Sequence, residues 1–219
     1  MGGLRVLVAG AHGGIGGACV ELLERQDHLV VGVDRAPGPA GSGGGPPGRG
    51  DPQLVDVTLP GGAEHAVELA EATLGGLDGI VHAIGMSGRR LGDGPVTSCT
   101  DAAWAEVLRV NLESAFRLLR AGLPALERGG GGSFVTIGSA LAQSADPDFM
   151  TAAYAASKGG LASLVRTAAM EVAASGVRVN LVAAGLVDTP MASRALGDPR
   201  IAGRLPELQP LGGQAVTAA

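Results

Sequence analysis

Aromatic residues are nearly missing from this 219-residue chain, which holds three Phe, one Trp and one Tyr. A core built without them must pack Ala, Val and Leu closely, and a hydrophobic fraction of 46% supplies enough of these. Lysine is as scarce. Fifteen of the sixteen basic residues are Arg, and the single lysine is Lys158. With no Lys/Arg cluster beyond Arg89-Arg90 and a net charge of -5, the chain lacks an electrostatic footprint for nucleic acid or an anionic membrane. Cys19 and Cys99 are too few for a disulfide framework and lack metal-ligand spacing, so they read as buried reduced thiols and no metal site is expected. No apolar run approaches the ~20 residues of a spanning helix. Residues 1–5 lead straight into a strand-like segment, without the charged, apolar and cleavage regions of a signal peptide. A cytoplasmic protein with a small-molecule partner, and no nucleic-acid or membrane partner, is the expectation.

What is present is an alternation. Apolar runs at 4–9, 28–34, 54–57, 79–84, 133–139 and 177–183 read as strands, with segments of helical spacing between most of them. Continuous Val- and Leu-rich runs indicate strands buried on both faces. The β/α order then implies an α/β fold: a Rossmann-like, doubly wound parallel sheet with helices on both faces. Residues 1–219 read as one domain, since single cores remain workable to ~250 residues. Residues 36–50, rich in Gly and Pro, read as a flexible loop inside it.

In such sheets ligands bind beyond the carboxyl ends of the strands. The residues that stand out by composition fall there: Gly10, Gly14, Gly16, Asp34, Asp56, Gly85, Ser139 and Gly185. The glycines join the first strand to its helix and would let a pyrophosphate approach the helix N-terminus. Asp34, 18 residues beyond Gly16, would accept hydrogen bonds from ribose hydroxyls and repel a 2′-phosphate, which favours NAD over NADP. Arg35 beside it keeps NADP as the second candidate. Tyr154 and Lys158 stand at i and i+4, so both emerge on one helix face, where an ammonium would favour the phenolate and lower the tyrosine pKa. They are the only Tyr and the only Lys in the chain. Ser139 ends an apolar strand and would reach the same edge to bond a substrate oxygen. Asn111 sits among apolar residues, either as a satisfied buried amide or as part of a proton path.

Together these residues resemble the classical short-chain dehydrogenase/reductase family, from Leu4 to about Gly213. Ala9 to Gly16 is similar to its T-G-x-x-x-G-x-G motif, Tyr154-Ala155-Ala156-Ser157-Lys158 to its Tyr-x-x-x-Lys motif, and Val110-Asn111-Leu112 to its helix asparagine. The resemblance implies hydride transfer between NAD(H) and a secondary alcohol or ketone. Tyr154 would be the general acid/base, Lys158 would lower its pKa and hold the nicotinamide ribose, Ser139 would orient the substrate oxygen, and Asn111 would support a water relay. Cofactor contacts would come from Gly10, Gly14, Ile15 and Gly16, from Asp34, from the pair Asp56-Val57 at the adenine, from Gly85, and from Gly185, Val187 and Thr189 around the nicotinamide. It also implies a homo-oligomer, dimer or tetramer.

Three departures matter. The usual Asn-Asn-Ala-Gly is Val81-His82-Ala83-Ile84-Gly85 here, altering the brace beneath the cofactor; the usual Pro-Gly is Ala184-Gly185, a less stiff loop. The family also continues through one more helix and strand, so Ala219 is expected not to be the biological C-terminus, and 177–183 is expected at an open sheet edge. The alternative function is a weak or inactive NAD-binding regulatory protein, against which the joint retention of Ser139, Tyr154, Lys158 and Asn111 argues. An epimerase or dehydratase would need a larger C-terminal substrate domain. Residues 86–91, 141–150 and 190–210 should border an apolar or mid-sized substrate.

Overall fold

A computed structural model describes residues 2–36 and 53–218. Six strands form one parallel sheet: β1 (Arg5–Ala9), β2 (Leu29–Asp34), β3 (Gln53–Leu54), β4 (Gly79–His82), β5 (Gly132–Ile137) and β6 (Val177–Val182), in the order β3-β2-β1-β4-β5-β6. The chain starts in the middle, winds outward through β2 and β3, then crosses back to β4. This reversal between β1 and β4 opens a crevice at their carboxyl ends.

Period-two alternation sends side chains to two apolar layers. Leu7, Ala9, Val31, Val33 and Ile80 face the larger one, where α2 (Gly62–Leu74), α4 (Ser114–Arg128) and α5 (Ala152–Glu171) pack. Val6 and Val8 face the other, against Val20 of α1 (Gly14–Arg25). The larger layer is assembled almost wholly from Ala, Val and Leu, and Phe134 is its single fully buried aromatic. Small side chains allow close approach: a Cβ at Gly122 on α4 would lie 2.4 Å from Ile80 Cδ1.

Helix α3 (Asp101–Leu108) starts at Thr100, whose side chain accepts the Ala103 N–H at 3.1 Å, and leads through a π-turn (Arg109–Glu113) into α4. The remaining elements lie beyond β6: β7 (Val187–Asp188), α6 (Ser193–Leu196), α7 (Pro199–Leu208) and β8 (Val216–Thr217). β7 and β8 pair parallel as a separate two-stranded sheet.

The differences from the sequence reading are local. β3 spans two residues rather than four, although Val55 and Val57 are buried where a longer strand was expected. Cys19 and Cys99 are half-buried free thiols rather than fully buried ones. The expected loop at 36–50 lies outside the described residues, Ala36 excepted. β6 ends the sheet on one side. No helix among the described residues is long and apolar enough to cross a membrane.

Candidate active site

The turn after β1 is shaped by glycine. Gly10 has φ +88°, and a Cβ there would lie 2.9 Å from the Ala83 carbonyl, so only glycine lets this turn lie against the end of β4. A Cβ at Gly16 would lie 2.0 Å from Gly10 O, which fixes how closely α1 seats on the turn. Helix α1 opens at Gly14 with no side-chain cap. The first-turn N–H groups, those of Ile15 and Gly16 among them, therefore present the positive end of the helix to an anion.

In front of this helix end lies a cleft of about 290 Å³, lined by Gly10, Asp34, Asp56, Val57 and Gly85 among others. Asp34 ends β2, with its carboxylate accepting the His12 N–H at 3.0 Å and the Arg35 N–H at 2.7 Å. Those bonds aim it across the glycine turn and leave acceptor capacity for a ribose. Asp56 Oδ1 accepts from Thr58 N at 2.8 Å and Thr58 Oγ1 at 2.6 Å, a turn that holds Val57 buried against the cleft floor. A glycine-walled cleft with an uncapped helix end at one side and a carboxylate at the other fits a dinucleotide.

Gly85, at one end of the cleft, lies beside α5. Its first turn is capped from far along the chain: Asp93, buried, accepts the Ala153 and Tyr154 N–H groups, each at 3.0 Å. Ala152 N also donates to Gly94 O at 2.8 Å. Tyr154 and Lys158 lie one turn apart, with Lys158 Nζ 5.8 Å from the phenol ring centroid. Lys158 is almost wholly buried and donates to Ile137 O at 2.8 Å; its Nζ would lie 3.5 Å from a Cβ at Gly85. Ser139 follows β5, where its Oγ accepts the Leu141 N–H at 3.2 Å.

Burial dominates the electrostatics here. It lowers the Lys158 pKa from 10.5 to about 8, because an ammonium loses water there with no carboxylate in return. It raises that of Tyr154, opposed only by a hydrogen bond to Ser139. From the sequence, the lysine is expected to lower the phenol's pKa. In the structure the ammonium is committed to Ile137 O, and desolvation of the ring decides the direction instead.

Asn111 lies on the π-turn, fully buried. Its Oδ1 accepts the Met86 N–H at 2.8 Å, and its Nδ2 donates to Met86 O at 3.0 Å and to Ser157 Oγ at 3.0 Å. Of the two sequence readings, the satisfied buried amide describes these contacts. Beneath it, His82 bridges β4 to Thr136 Oγ1 (Nδ1, 2.9 Å) and to Ser114 Oγ (Nε2, 2.9 Å). Ser114 spends its one hydrogen on Val110 O at 2.5 Å, so Nε2 carries the proton; in the neutral ring Nδ1 then accepts from the Thr136 hydroxyl, which also lies 3.4 Å from His82 O. Burial favours this neutral form, holding the imidazole pKa down to about 3. The residue replacing the family's asparagine thus ties two strands to the start of α4.

The loop after β6 folds over the same region. A Cβ at Gly14 would lie 2.6 Å from Thr189 Cγ2, so Thr189 rests on the start of α1. Val187 is held in β7. At Gly185, a Cβ would fall 2.3 Å from Gln209 Oε1, and the Gln209 side chain bonds both Leu186 N and Leu186 O. This side-chain clamp stands where the family's proline is missing.

The glycines, Asp34, Asp56 and Val57 thus line one end of the crevice, and Lys158 meets Gly85 and Ile137 at the other. Three contributors escaped the sequence reading. Asp93 lies between two glycines in Gly92-Asp93-Gly94, a turn signature that marked the position without its partner. Gln209 left no signal. The pair Asp146 and Asp148, which binds Arg204 and so fastens α7 to the turn before α5, was detectable only as unlike charges.

Comparison with known proteins agrees with this geometry. A family model described as Enoyl-(Acyl carrier protein) reductase matches residues 10–219. The chain is similar to the 3-oxoacyl-[acyl-carrier-protein] reductase FabG of Escherichia coli K12, at 33% identity over 205 residues, 92% of this chain and 80% of that protein. It is also similar to a cis-4-hydroxycyclohexanecarboxylate dehydrogenase of Sinomonas cyclohexanicum, at 32% identity over 197 residues, covering 89% and 77%. Among solved structures, a short-chain type dehydrogenase/reductase from Mycobacterium ulcerans superposes with a TM-score of 0.86 at 29% identity, covering 97% of this chain and 78% of that one.

Proposed function

Since the chain belongs to the classical short-chain dehydrogenase/reductase family of oxidoreductases, we propose that it interconverts a secondary alcohol and a ketone with NAD(H), using Tyr154 as the proton donor and acceptor. The observation that carries this reading is the half-buried Tyr154 one helical turn from the buried Lys158, with Lys158 Nζ 3.5 Å from a Cβ position on Gly85, at the end of the glycine-lined cleft.

The bound nicotinamide supplies hydride exchange at the substrate carbon. Everything else falls to the chain. The uncapped start of α1 holds the pyrophosphate through Gly14, Ile15 and Gly16, with Gly10 setting the turn; Asp56-Val57 borders the adenine, and Gly185, Val187 and Thr189 cover the nicotinamide side. Tyr154 Oη gives its proton to a ketone oxygen or takes one from an alcohol. Burial favours the neutral phenol, which is the donor form; a hydrogen bond from Ser139 favours the phenolate needed in the other direction. Lys158, cationic below about pH 8, adds positive charge beside that phenolate and reaches the nicotinamide ribose. Asn111 keeps the loop at Met86 in register with α5. Asp34 disfavours a 2′-phosphate, so NAD is preferred over NADP.

The remaining readings are a single domain over 1–219, a homo-oligomer in solution and a cytoplasmic location. The direct test is a screen of neutral secondary alcohols and ketones with NAD and NADP, followed by nicotinamide absorbance. Tyr154→Phe should lower turnover by at least ~100-fold while its Kd for the cofactor stays within about threefold. Retention of most of kcat by that variant would remove Tyr154 from the role.

A further inference from the structure

Arginine is this chain's surface cation, and most of its arginines are paired or fully wet. Among the described residues Arg5, Arg109, Arg117, Arg120, Arg128, Arg200 and Arg204 are ion-paired to carboxylates. The unpaired ones are exposed, with one exception. Arg89 is half-buried, and its guanidinium has neither an ion pair nor a hydrogen bond among the described residues. A guanidinium that gives up water without a carboxylate in direct contact is disfavoured, and such groups concentrate where a ligand supplies that contact.

Its position points to the ligand. Arg89 opens a single 3-10 turn between Gly88 (φ +71°) and Gly92 (φ +94°), and the chain closes back through Asp93 N to Gly88 O at 3.1 Å. Asp93 is the residue whose carboxylate holds the Tyr154 N–H. The turn bearing Arg89 is therefore bolted to the first turn of α5. From the other side, Arg194 on α6 lies with Cζ 6.0 Å from the Phe149 ring centroid and donates to Asp148 O at 3.2 Å. Phe149 belongs to the 3-10 turn just before α5. The two guanidiniums are near enough for Arg194 to weaken Arg89 as a cation, adding to the effect of burial. Two unpaired cations thus flank the start of the catalytic helix and repel each other.

We infer that Arg89, assisted by Arg194, binds a carboxylate carried by the substrate, making the substrate class hydroxy and oxo acids. A monoanion fits better than a phosphate dianion, because the buried Asp93 carboxylate is also within electrostatic reach of Arg89 and already offsets part of its charge. A planar carboxylate also matches the guanidinium fork. This inference rests on the alcohol/ketone reading for its meaning as specificity, but the anion site can be measured without turnover.

The experiment compares binding of butyrate, benzoate and cyclohexanecarboxylate with that of their isosteric amides, by calorimetry on the cofactor-loaded full chain and again on the free chain. At least one acid is expected to bind ten times more tightly than its amide, with the ratio falling to about one in Arg89→Gln, partly in Arg194→Gln, and not at all in the exposed control Arg166→Gln. Equality of every acid with its amide in the wild type overturns the inference, as does survival of the ratio in Arg89→Gln. Tighter binding of inorganic phosphate than of any acid overturns the carboxylate assignment. The kinetic arm sets 4-hydroxycyclohexanecarboxylate and 3-hydroxybutyrate against their methyl esters, where an acid preference in kcat/KM should collapse in Arg89→Gln. Turnover of neutral alcohols without any acid preference would sink this inference alone; absence of all turnover, with the acid-to-amide binding ratio intact, would sink the oxidoreductase reading alone.

Discussion

Asn111 holds Met86 by both of its main-chain groups, accepting the Met86 N–H at 2.8 Å and donating to Met86 O at 3.0 Å. A peptide gripped this way cannot pivot without breaking two hydrogen bonds, and the grip keeps Gly85 beside Lys158. Asn111→Ala should cost about 2–4 kcal/mol in urea unfolding, because the half-buried Met86 N–H and carbonyl and the buried Ser157 hydroxyl each lose a partner. The same change should lower kcat more than cofactor affinity. A loss below about 0.5 kcal/mol would mean that water replaces the amide at no cost.

Lys158 is kept at some expense to the free protein. A shift from 10.5 to about 8 amounts to about 3 kcal/mol against folding at neutral pH. Because the folded-state pKa is the lower one, the penalty is complete below about pH 8 and disappears as pH rises toward 10.5. Lys158→Met forfeits one hydrogen bond to Ile137 O, worth about 1 kcal/mol, and relieves the larger burden. The variant should therefore be inactive and melt higher than wild type at pH 7, with the gap closing toward pH 10. A lower Tm at pH 7 would show that the ammonium is hydrated in place.

His82 follows the same sign in the acid range. Its imidazole pKa falls from 6.5 to about 3 on folding, so the stability it contributes is complete above 6.5 and is lost as pH falls through that window. His82→Asn, which restores the amide common in the family, should flatten the acid limb of unfolding between pH 6 and 3 relative to wild type. Parallel acid limbs for the two proteins would contradict a neutral buried histidine.

Asp34→Ala should reduce a preference for NAD of at least about tenfold to near parity, measured as the ratio of kcat/KM for NAD and NADP. The carboxylate also caps the His12 N–H, so a loss of about 1 kcal/mol in stability should accompany the change. Equal use of both cofactors by the wild type would remove the assignment.

Much of this fold was legible because the strands are unbroken apolar runs; all six sheet strands fall within or beside the segments read from sequence. The two-residue strands β7 and β8 were invisible, since two residues carry no period. Tyr154 and Lys158 were conspicuous as single copies, and Asp34 by its distance from the glycines. The direction of the tyrosine pKa was not legible, because it depends on how much protein covers the ring, and that is set by residues distant in sequence. Asp93 escaped for the same reason: it caps a helix that begins some sixty residues later, whereas the cap rules readable in sequence are local ones.

The solitary lysine also makes the catalytic helix its own reporter. A protease that cuts only after lysine has one target in the whole chain, the bond between Lys158 and Gly159, and that bond lies inside α5. Helical backbone does not fit a protease cleft, so cleavage must wait for α5 to open, by local fraying or by global unfolding. If α5 opens on its own, cleavage will outrun what the global unfolding equilibrium allows, and the appearance of two fragments on a gel will time the opening of the active site without any dye or label. A bound dinucleotide should lengthen that time in proportion to its occupancy.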